Sequence, residues 1–494
     1  MRPARAFPVL LALVTAGCAV GPDYKRPSAP VPAAFKEQAP PGNTAAAENK
    51  WKPAEPRDDA HRGKWWEVFA DPQLNALEDQ VNISNQNIAQ AEAQFRGARA
   101  AVRGARSDFY PTVTANASAT RSQAPVNSMG VRTGPSNLYS LSGDLSWELD
   151  VFGRVRRNVE GSVANAQASA ADLESVRLTM QSELALDYFE LRGLDTQKAL
   201  LDTNVAGLDK ALGMTVNRFN QGIVSGVDVA QAQTQLETTR AQATDLRIRR
   251  AQLEHAIATL TGKPPADLTI APTTGLALPP EIPPALPSDL LERRPDIAAA
   301  ERRVAAANAQ IGVATAAFFP RLLLAATGGF ESSRLSDWFS LPSRFWSIGP
   351  SVIATIFDGG KRRAATEQAR AAHEAAVAVY RLSVLTSFQD VEDNLAALHI
   401  LAEESDQIAA AVTAAERSLT IARNRYLAGT TTYLEVVTAQ TIAIANALSA
   451  VDIQVRRMTA AVNLIKALGG GWGTDELPYG GTTTAAQAAT PPQQ

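Results

Sequence analysis

The sequence repeats itself over a span too long for a solenoid. Asp108-Phe-Tyr-Pro111 and Phe318-Phe-Pro320 each close an Ala-rich helical tract, their prolines 209 positions apart. Arg218-Phe-Asn-Gln-Gly222 with Asp228-Val-Ala-Gln-Ala-Gln233 returns 207 positions on as Arg425-Tyr-Leu-Ala-Gly429 with Glu435-Val-Val-Thr-Ala-Gln440. Solenoid units run to about fifty residues at most. Each copy is therefore half a protein, and the chain folds as two pseudo-symmetric halves.

Beyond Pro111, Val113, Ala115, Ala117 and Ala119 alternate with Thr112, Thr114, Asn116, Ser118 and Thr120, the period of a strand. The next segment sets Leu141, Leu145, Trp147 and Leu149 against Ser142, Ser146 and three acids, Asp144, Glu148 and Asp150. The second half offers Leu322, Leu324 and Phe330, then Trp346, Ile348, Val352 and Ile356, with Pro350 expected to force a bulge or bend. Strands are expected over about 109–121, 138–152, 319–331 and 344–357. Acids on an inner face would cost several kcal/mol each in a dry sandwich core but stay hydrated in a water-filled pore. Phe109, Tyr110, Phe152, Phe318, Phe319 and Phe357 are expected to gather at one rim, as in an interfacial girdle. Four strands cannot close, because about eight is the practical minimum for a barrel. Several copies must share one; three copies give twelve strands, a permitted even number, and the same arithmetic also allows two or four copies.

Proline is absent from about Arg154 to Arg218 and from Lys361 to Arg425. Leu201, Val205, Leu208 and Leu212, and later Val384, Phe388, Val391, Leu395 and Leu398, keep heptad spacing. At 1.5 Å per residue, about 65 residues give nearly 100 Å of helix. The flanking tracts, Asp71 to Arg106 and Val227 to Leu260, are about half as long, so two end to end would match one long helix. No apolar run approaches the roughly 18 residues of a membrane-spanning helix, which leaves strands for any crossing. With 47 basic and 50 acidic residues, a net charge of −3 supplies no field to draw nucleic acid. His61, His255, His373 and His399 lack ligand spacing, and no nucleophile elbow or phosphate loop is present. No metal, cofactor or enzyme chemistry is expected.

The N-terminus reads as a bacterial secretory signal over residues 1–17 ending at Cys18, the sole cysteine, which is expected to carry a diacylglycerol. Thr15 replaces the usual Leu of a lipobox, and Ala19 rather than Asp follows the cysteine.

Six motifs carry a resemblance: Cys18-Ala-Val-Gly-Pro-Asp-Tyr24, Leu290-Leu-Glu-Arg-Arg-Pro-Asp-Ile-Ala-Ala-Ala-Glu301, Asn308-Ala-Gln-Ile-Gly-Val-Ala314, Ala317-Phe-Phe-Pro320, Ile356-Phe-Asp-Gly-Gly360 and Lys466-Ala-Leu-Gly-Gly-Gly-Trp472. With them the chain resembles the TolC-type outer membrane factors, specifically NodT-type efflux lipoproteins. The resemblance implies an α+β membrane protein, a homotrimer with a twelve-stranded barrel in outer-membrane lipid and a long periplasmic helical barrel. An equatorial belt would draw on the lipidated segment 18–70, the Pro-rich connector 263–292 and the C-terminal stretch 469–494, whose tail from Gly480 is Thr- and Gln-rich. The two repeats then span 71–262 and 293–468, with hairpin tips at 222–226 and 429–432. In the family, such tips close the tunnel and meet a periplasmic adaptor, which places Gly222, Ser225, Gly226, Gly429, Thr430 and Thr431 at that contact.

Asp228 and Glu435, equivalent in the repeat, are either a ring of carboxylates at a narrow opening or ordinary helix-start acids. Family channels constrict with a Leu, an Asp and an Arg on the last helix. Matching Tyr433-Leu434 retains the Leu, whereas Thr438 and Thr441 stand at the Asp and Arg positions, implying a looser constriction or polar bonds from other residues. The implied role is a passive outer-membrane exit duct joined through an adaptor to an inner-membrane pump of the proton-driven RND type. A type I protein-secretion channel and a lipid-anchored coiled-coil scaffold without a pore are the alternatives.

Overall fold

The computed structural model describes residues 19–32, 34–37, 64–123, 134–280 and 293–470. The signal segment, Cys18, residues 38–63, the connector over 281–292 and the tail from 471 lie outside the described residues.

Two halves recur, the first with one α-helix more than the second among the described residues. The first runs α1 (Pro72–Ser84), α2 (Gln86–Ser107), β1 (Thr112–Ser122), β2 (Ser136–Leu149), α3 (Arg154–Asn220) and α4 (Gly226–Leu260). The second runs α5 (Pro295–Ala316), β3 (Arg321–Ser332), β4 (Arg344–Ile353), α6 (Lys361–Leu427) and α7 (Tyr433–Ala467). Helices α2 and α5 have 22 residues each, α3 and α6 have 67, and α4 and α7 have 35. At 1.5 Å per residue, 67 residues are about 100 Å of helix.

The chain divides into two compact units, each drawn from both halves. One combines Gln94–Ala170 and Ala299–Arg381 with the described residues up to Ser28. It holds a single antiparallel sheet of order β1-β2-β3-β4. Thr112 pairs with Ser146, Trp147 with Leu324 and Ile348 with Ala326. Because directly opposed residues share a face, the register joins Val113, Leu145, Ala326 and Ile348 into one apolar row. Thr114, Asp144, Thr327 and Ser347 form a polar row on the reverse.

Pro350 causes no bulge. It pairs in unbroken register with Leu324 on β4, an edge strand, where a missing N–H is tolerated. The strands are also shorter than expected at their helical ends, because the aromatic residues belong to the turns. Phe109 and Tyr110 donate backbone N–H groups to the Arg106 and Ser107 carbonyls, and Phe318 and Phe319 to those of Thr315 and Ala316. On the return side Asp150 accepts from the backbone of Val155 and Arg156 at 3.0 and 2.9 Å, starting α3. Asp358 does the same before α6, accepting from Gly360 and Arg362 at 3.1 and 3.2 Å.

The same unit fastens the segment after residue 18. Val20 donates to the Phe152 carbonyl, Asn308 to that of Pro22, and Arg157 pairs with Asp23 at 2.8 Å. The Tyr24 hydroxyl donates to Glu301, and burial with that acid pushes the phenol well above its ordinary pKa. A Cβ on Gly312 would lie 2.7 Å from the Arg157 side chain, and one on Gly21 2.6 Å from Gly312, so glycine is required where strap meets helix.

The second unit combines Ala29–Ala93, Ala171–Ala298 and the described chain from Leu382. The single tract foreseen from Asp71 to Arg106 is two helices, α1 and α2. Asn85 breaks it in extended geometry (ψ 126°) and caps the next helix, its Oδ1 accepting from Asn87 and Ile88 at 2.9 and 3.1 Å. Its amide also donates to the Leu260 carbonyl at the end of α4, 2.8 Å. Asp71 caps α1 and accepts from the Tyr188 hydroxyl at 2.7 Å. The connector is tied down through Arg250, which bonds Asp195 at 2.7 Å and the Ile270 carbonyl at 2.6 Å.

One expectation is corrected by α7. Its mean hydropathy reaches 1.5 over an 18-residue window, so by length and composition this helix could cross a membrane. The run is rich in small Ala among Val, Ile and Leu, a composition that also suits close lateral packing of helices, and α7 corresponds in the duplication to α4.

Candidate functional site

Both helical hairpins turn through one device. Gly222 (φ 71°) donates to Phe219 and Ile223 to Arg218. In the second half Gly429 (φ 74°) donates to Tyr426 and Thr430 to Arg425. This is the closure that lets a left-handed glycine end a helix. No atom stands within 4 Å of a Cβ added at either glycine, so the requirement is positive φ rather than space.

The turns differ in chemistry. At the first, the Asp228 carboxylate accepts from the Ser225 backbone at 3.0 Å and from its hydroxyl at 3.1 Å, so this acid serves the start of α4. At the second, Glu435 faces Arg425 at 3.4 Å with both side chains about half exposed. Thr430 returns its hydroxyl to the Arg425 carbonyl at 3.0 Å.

A small core joins the two hairpins. Tyr426, Tyr433, Val436, Ala439, Ala422 and Ala232 are buried together, with Leu212 and Val224 against them. The Tyr426 and Tyr433 rings meet edge-on at 5.1 Å, and the Arg218 guanidinium lies 4.9 Å over Tyr426. Tyr433 is 2 % exposed, and burial raises its phenol pKa. Leu434, its neighbour, is 56 % exposed. Thr438 and Thr441 are exposed but return their hydroxyls to the Leu434 and Val437 carbonyls, both at 2.9 Å. Tyr433 thus anchors the tip core, and Leu434 and Glu435 are presented outward beside it. Sequence reading missed the Arg218–Tyr426 stack. Its only signal was the exchange of Phe219 for Tyr426 between otherwise matching turns.

The strand acids separate as well. Asp144 sits mid-strand between the hydroxyls of Ser142 (3.0 Å) and Thr327 (2.8 Å). Glu148 is clasped by Arg154 at 2.7 and 3.1 Å and approached by Arg321 at 3.4 Å. Asp150 lies beyond β2 and caps α3 with Arg156 beside it. No cluster able to hold a metal ion occurs among the described residues.

The outer membrane efflux protein family matches residues 77–263 and 286–470, and the chain belongs to that family. It is 32 % identical over 468 residues to outer membrane protein OprJ of Pseudomonas aeruginosa, covering 94 % of this chain and 95 % of that one. It is 32 % identical over 485 residues to the toluene efflux pump outer membrane protein TtgI of Pseudomonas putida, covering 96 % and 99 %. Among solved structures, the outer-membrane channel OprN is similar with a TM-score of 0.81 at 33 % identity over 92 % of this chain and all of that one. The open state of the Neisseria gonorrhoeae MtrE outer membrane channel gives 0.79 at 28 % identity, covering 92 % and 98 %. The protein is an outer-membrane exit channel of an efflux system.

Proposed function

We propose that three copies close a twelve-stranded barrel, hold it in the outer membrane with lipid on Cys18, and conduct cargo passively from an inner-membrane RND pump through a periplasmic adaptor. The observation that carries the barrel is the register. It gathers an apolar face across all four strands while leaving β1 and β4 as edges, and an open edge in lipid strands unpaired backbone groups. Asp144, Glu148 and Asp150 line or flank the hydrated lumen.

The turns at Gly222, Ser225, Gly226, Gly429, Thr430 and Thr431 receive the adaptor as a pair of helix tips. Resting closure falls to Leu434 and the Arg425–Glu435 pair around Tyr433, with Thr438 and Thr441 adding no charge. Support comes from the exposure of Leu434 and from the engagement of Asp228 in its own cap. No protein cofactor is needed for passive conduction.

Single-channel recording in planar bilayers tests both parts. Discrete currents are expected from the wild type, with more frequent openings from Glu435→Ala and unchanged gating from Asp228→Asn. Equal effects of the two substitutions would remove the asymmetry, and silent, well-folded oligomers would return the pore-free scaffold. Co-purification of an ATP-driven pump in place of an RND pump would redirect the duct to protein secretion.

A further inference from the structure

The helices leave the sheet at one end, so the β3–β4 connection lies at the other. It carries two 3-10 turns, Leu335–Asp337 and Leu341–Ser343. Its hydroxyls hold it closed, with Ser340 and Ser343 both donating to the Asp337 carbonyl at 2.7 Å. For an ordered loop it is unusually apolar in its exposed part: Leu335, Phe339 and Leu341 are 63 %, 65 % and 79 % exposed.

The side to which the loop folds is fixed by its rings. Trp338 lies 5.9 Å from Tyr139, Phe339 5.7 Å from Phe330, and Trp338 and Phe339 stack at 5.0 Å. The Trp338 indole donates to the Phe330 carbonyl at 3.3 Å. Tyr139 is two residues from Leu141, which pairs with Phe330, so both ring supports stand on the apolar face. The loop therefore prolongs the membrane-facing surface and turns away from the lumen.

Charge is placed on that same border. Arg344 pairs with Phe330, and Arg121, two residues beyond Ala119, shares the face through the Ala119–Tyr139 pair. Arg334 opens the loop. All three are exposed, and no ion pair engages them among the described residues. The acids nearby are Asp337, which accepts from Ser336 at 3.0 Å, and Glu331, which the register assigns to the polar face. Guanidinium groups are costly at hydrocarbon depth and tolerated at the headgroup level. There, Arg takes phosphate with paired N–H donors while aromatic rings settle at the interface.

We infer that Arg334, Arg344 and the Trp338–Phe339 ledge form a binding site for a phosphorylated glycolipid of the outer leaflet, with Arg121 of the adjoining copy flanking it across the β4–β1 seam. The site rests on the barrel reading, because only there does the apolar face meet lipid. Its chemistry is two-part: phosphate on the guanidinium groups, acyl chain against Leu335, Phe339 and Leu341.

The test is native mass spectrometry of the full-length oligomer in detergent, titrated with bisphosphorylated lipid A, its phosphate-free form, and phosphatidylglycerol. Wild type is expected to hold the bisphosphorylated lipid at least tenfold more tightly than the other two. Arg334→Gln/Arg344→Gln removes that preference, and Trp338→Ala/Phe339→Ala weakens all three lipids together. Equal retention of phosphorylated and phosphate-free lipid A by the wild type overturns the site without recourse to any variant. Phosphatidylglycerol bound as tightly as lipid A overturns the glycolipid assignment in favour of a general anionic surface. Planar-bilayer currents from the same preparation separate the causes: a conducting pore without lipid preference sinks this site alone, and a silent oligomer sinks the barrel on which it rests.

Discussion

Glu78 is a carboxyl with nowhere to put a charge. It is fully buried on α1, and neither oxygen finds a hydrogen-bond partner among the described residues. Burial, reinforced by the neighbouring Asp79, raises its pKa well above the ordinary carboxylate range. The folded state then binds a proton that the unfolded chain releases near pH 4.3. Native protein holds more protons across that window, so this group's contribution to stability falls as pH rises. Asp187 acts in the same direction, pushed up to about 6 by burial beside Glu183 and Glu190. As pH rises from about 4.3, Glu78→Gln should flatten the slope of melting temperature against pH in detergent-held protein, leaving the part that Asp187 contributes up to about pH 6. A variant slope parallel to that of the wild type would show that Glu78 finds a compensating partner. None of this was legible in the sequence, where Glu78 is one acid on an amphipathic tract. Burial of a carboxyl depends on which helix face the rest of the fold covers. Asn85 was equally silent, since an Asn inside an Ala- and Gln-rich run breaks a helix only when something such as the Leu260 carbonyl receives its amide.

At the element scale, four glycines form two kinds. Gly222 and Gly429 turn the hairpin tips in open space. Gly262 and Gly469, with φ of 71° and 92°, follow the ends of α4 and α7, and a Cβ on either would run into the carbonyl oxygen of Ser84 or Arg293. Each of those carbonyls sits just before the next helix, so each glycine makes a joint at which two shorter helices abut. At one joint the end of α4 meets the start of α2, and at the other the end of α7 meets the start of α5. Ala at a tip should cost about 1–2 kcal/mol, the price of left-handed backbone. At a joint, strain and collision add, and the loss should exceed that figure. Chemical denaturation of Gly222→Ala and Gly262→Ala would check the order, and equal losses would mean the joint relaxes freely. The long helices were legible because proline is absent and heptads persist. Tip glycines were legible because they recur in matching motifs. Gly262 was not singled out and Gly469 entered only inside the Lys466–Trp472 motif, since the need of each comes from a carbonyl nearly two hundred residues away in the chain.

For the whole molecule, the two-sided sheet decides what the protein can be. Alternation in the sequence revealed both faces, and the register shows that four strands keep them aligned from edge to edge. Strand ends were less legible, because the aromatic residues read as strand termini are held by helical turns and the acids Asp150 and Asp358 are drawn into helix starts. Asp358 shows the strength of that pull, its carboxyl held below the usual range by its bond to Arg362 at 2.6 Å. The faces can be tested at two adjacent residues on one edge strand. Ile348 pairs with Ala326 on the apolar face, and Ser347 pairs with Thr327 on the polar one. If the apolar face meets lipid, Ile348→Arg places a guanidinium near the hydrocarbon midplane at about 2–4 kcal/mol per copy. Three copies in the proposed barrel would multiply that cost, so heat-resistant oligomer should be lost from the outer-membrane fraction. Ser347→Arg puts the same charge one residue away on the opposite face, the hydrated lumen of the proposed barrel. That variant should assemble normally and shift conductance or ion selectivity instead. Assembly of both to the same extent would mean that the sheet has no lipid side, and the barrel reading would fall with it.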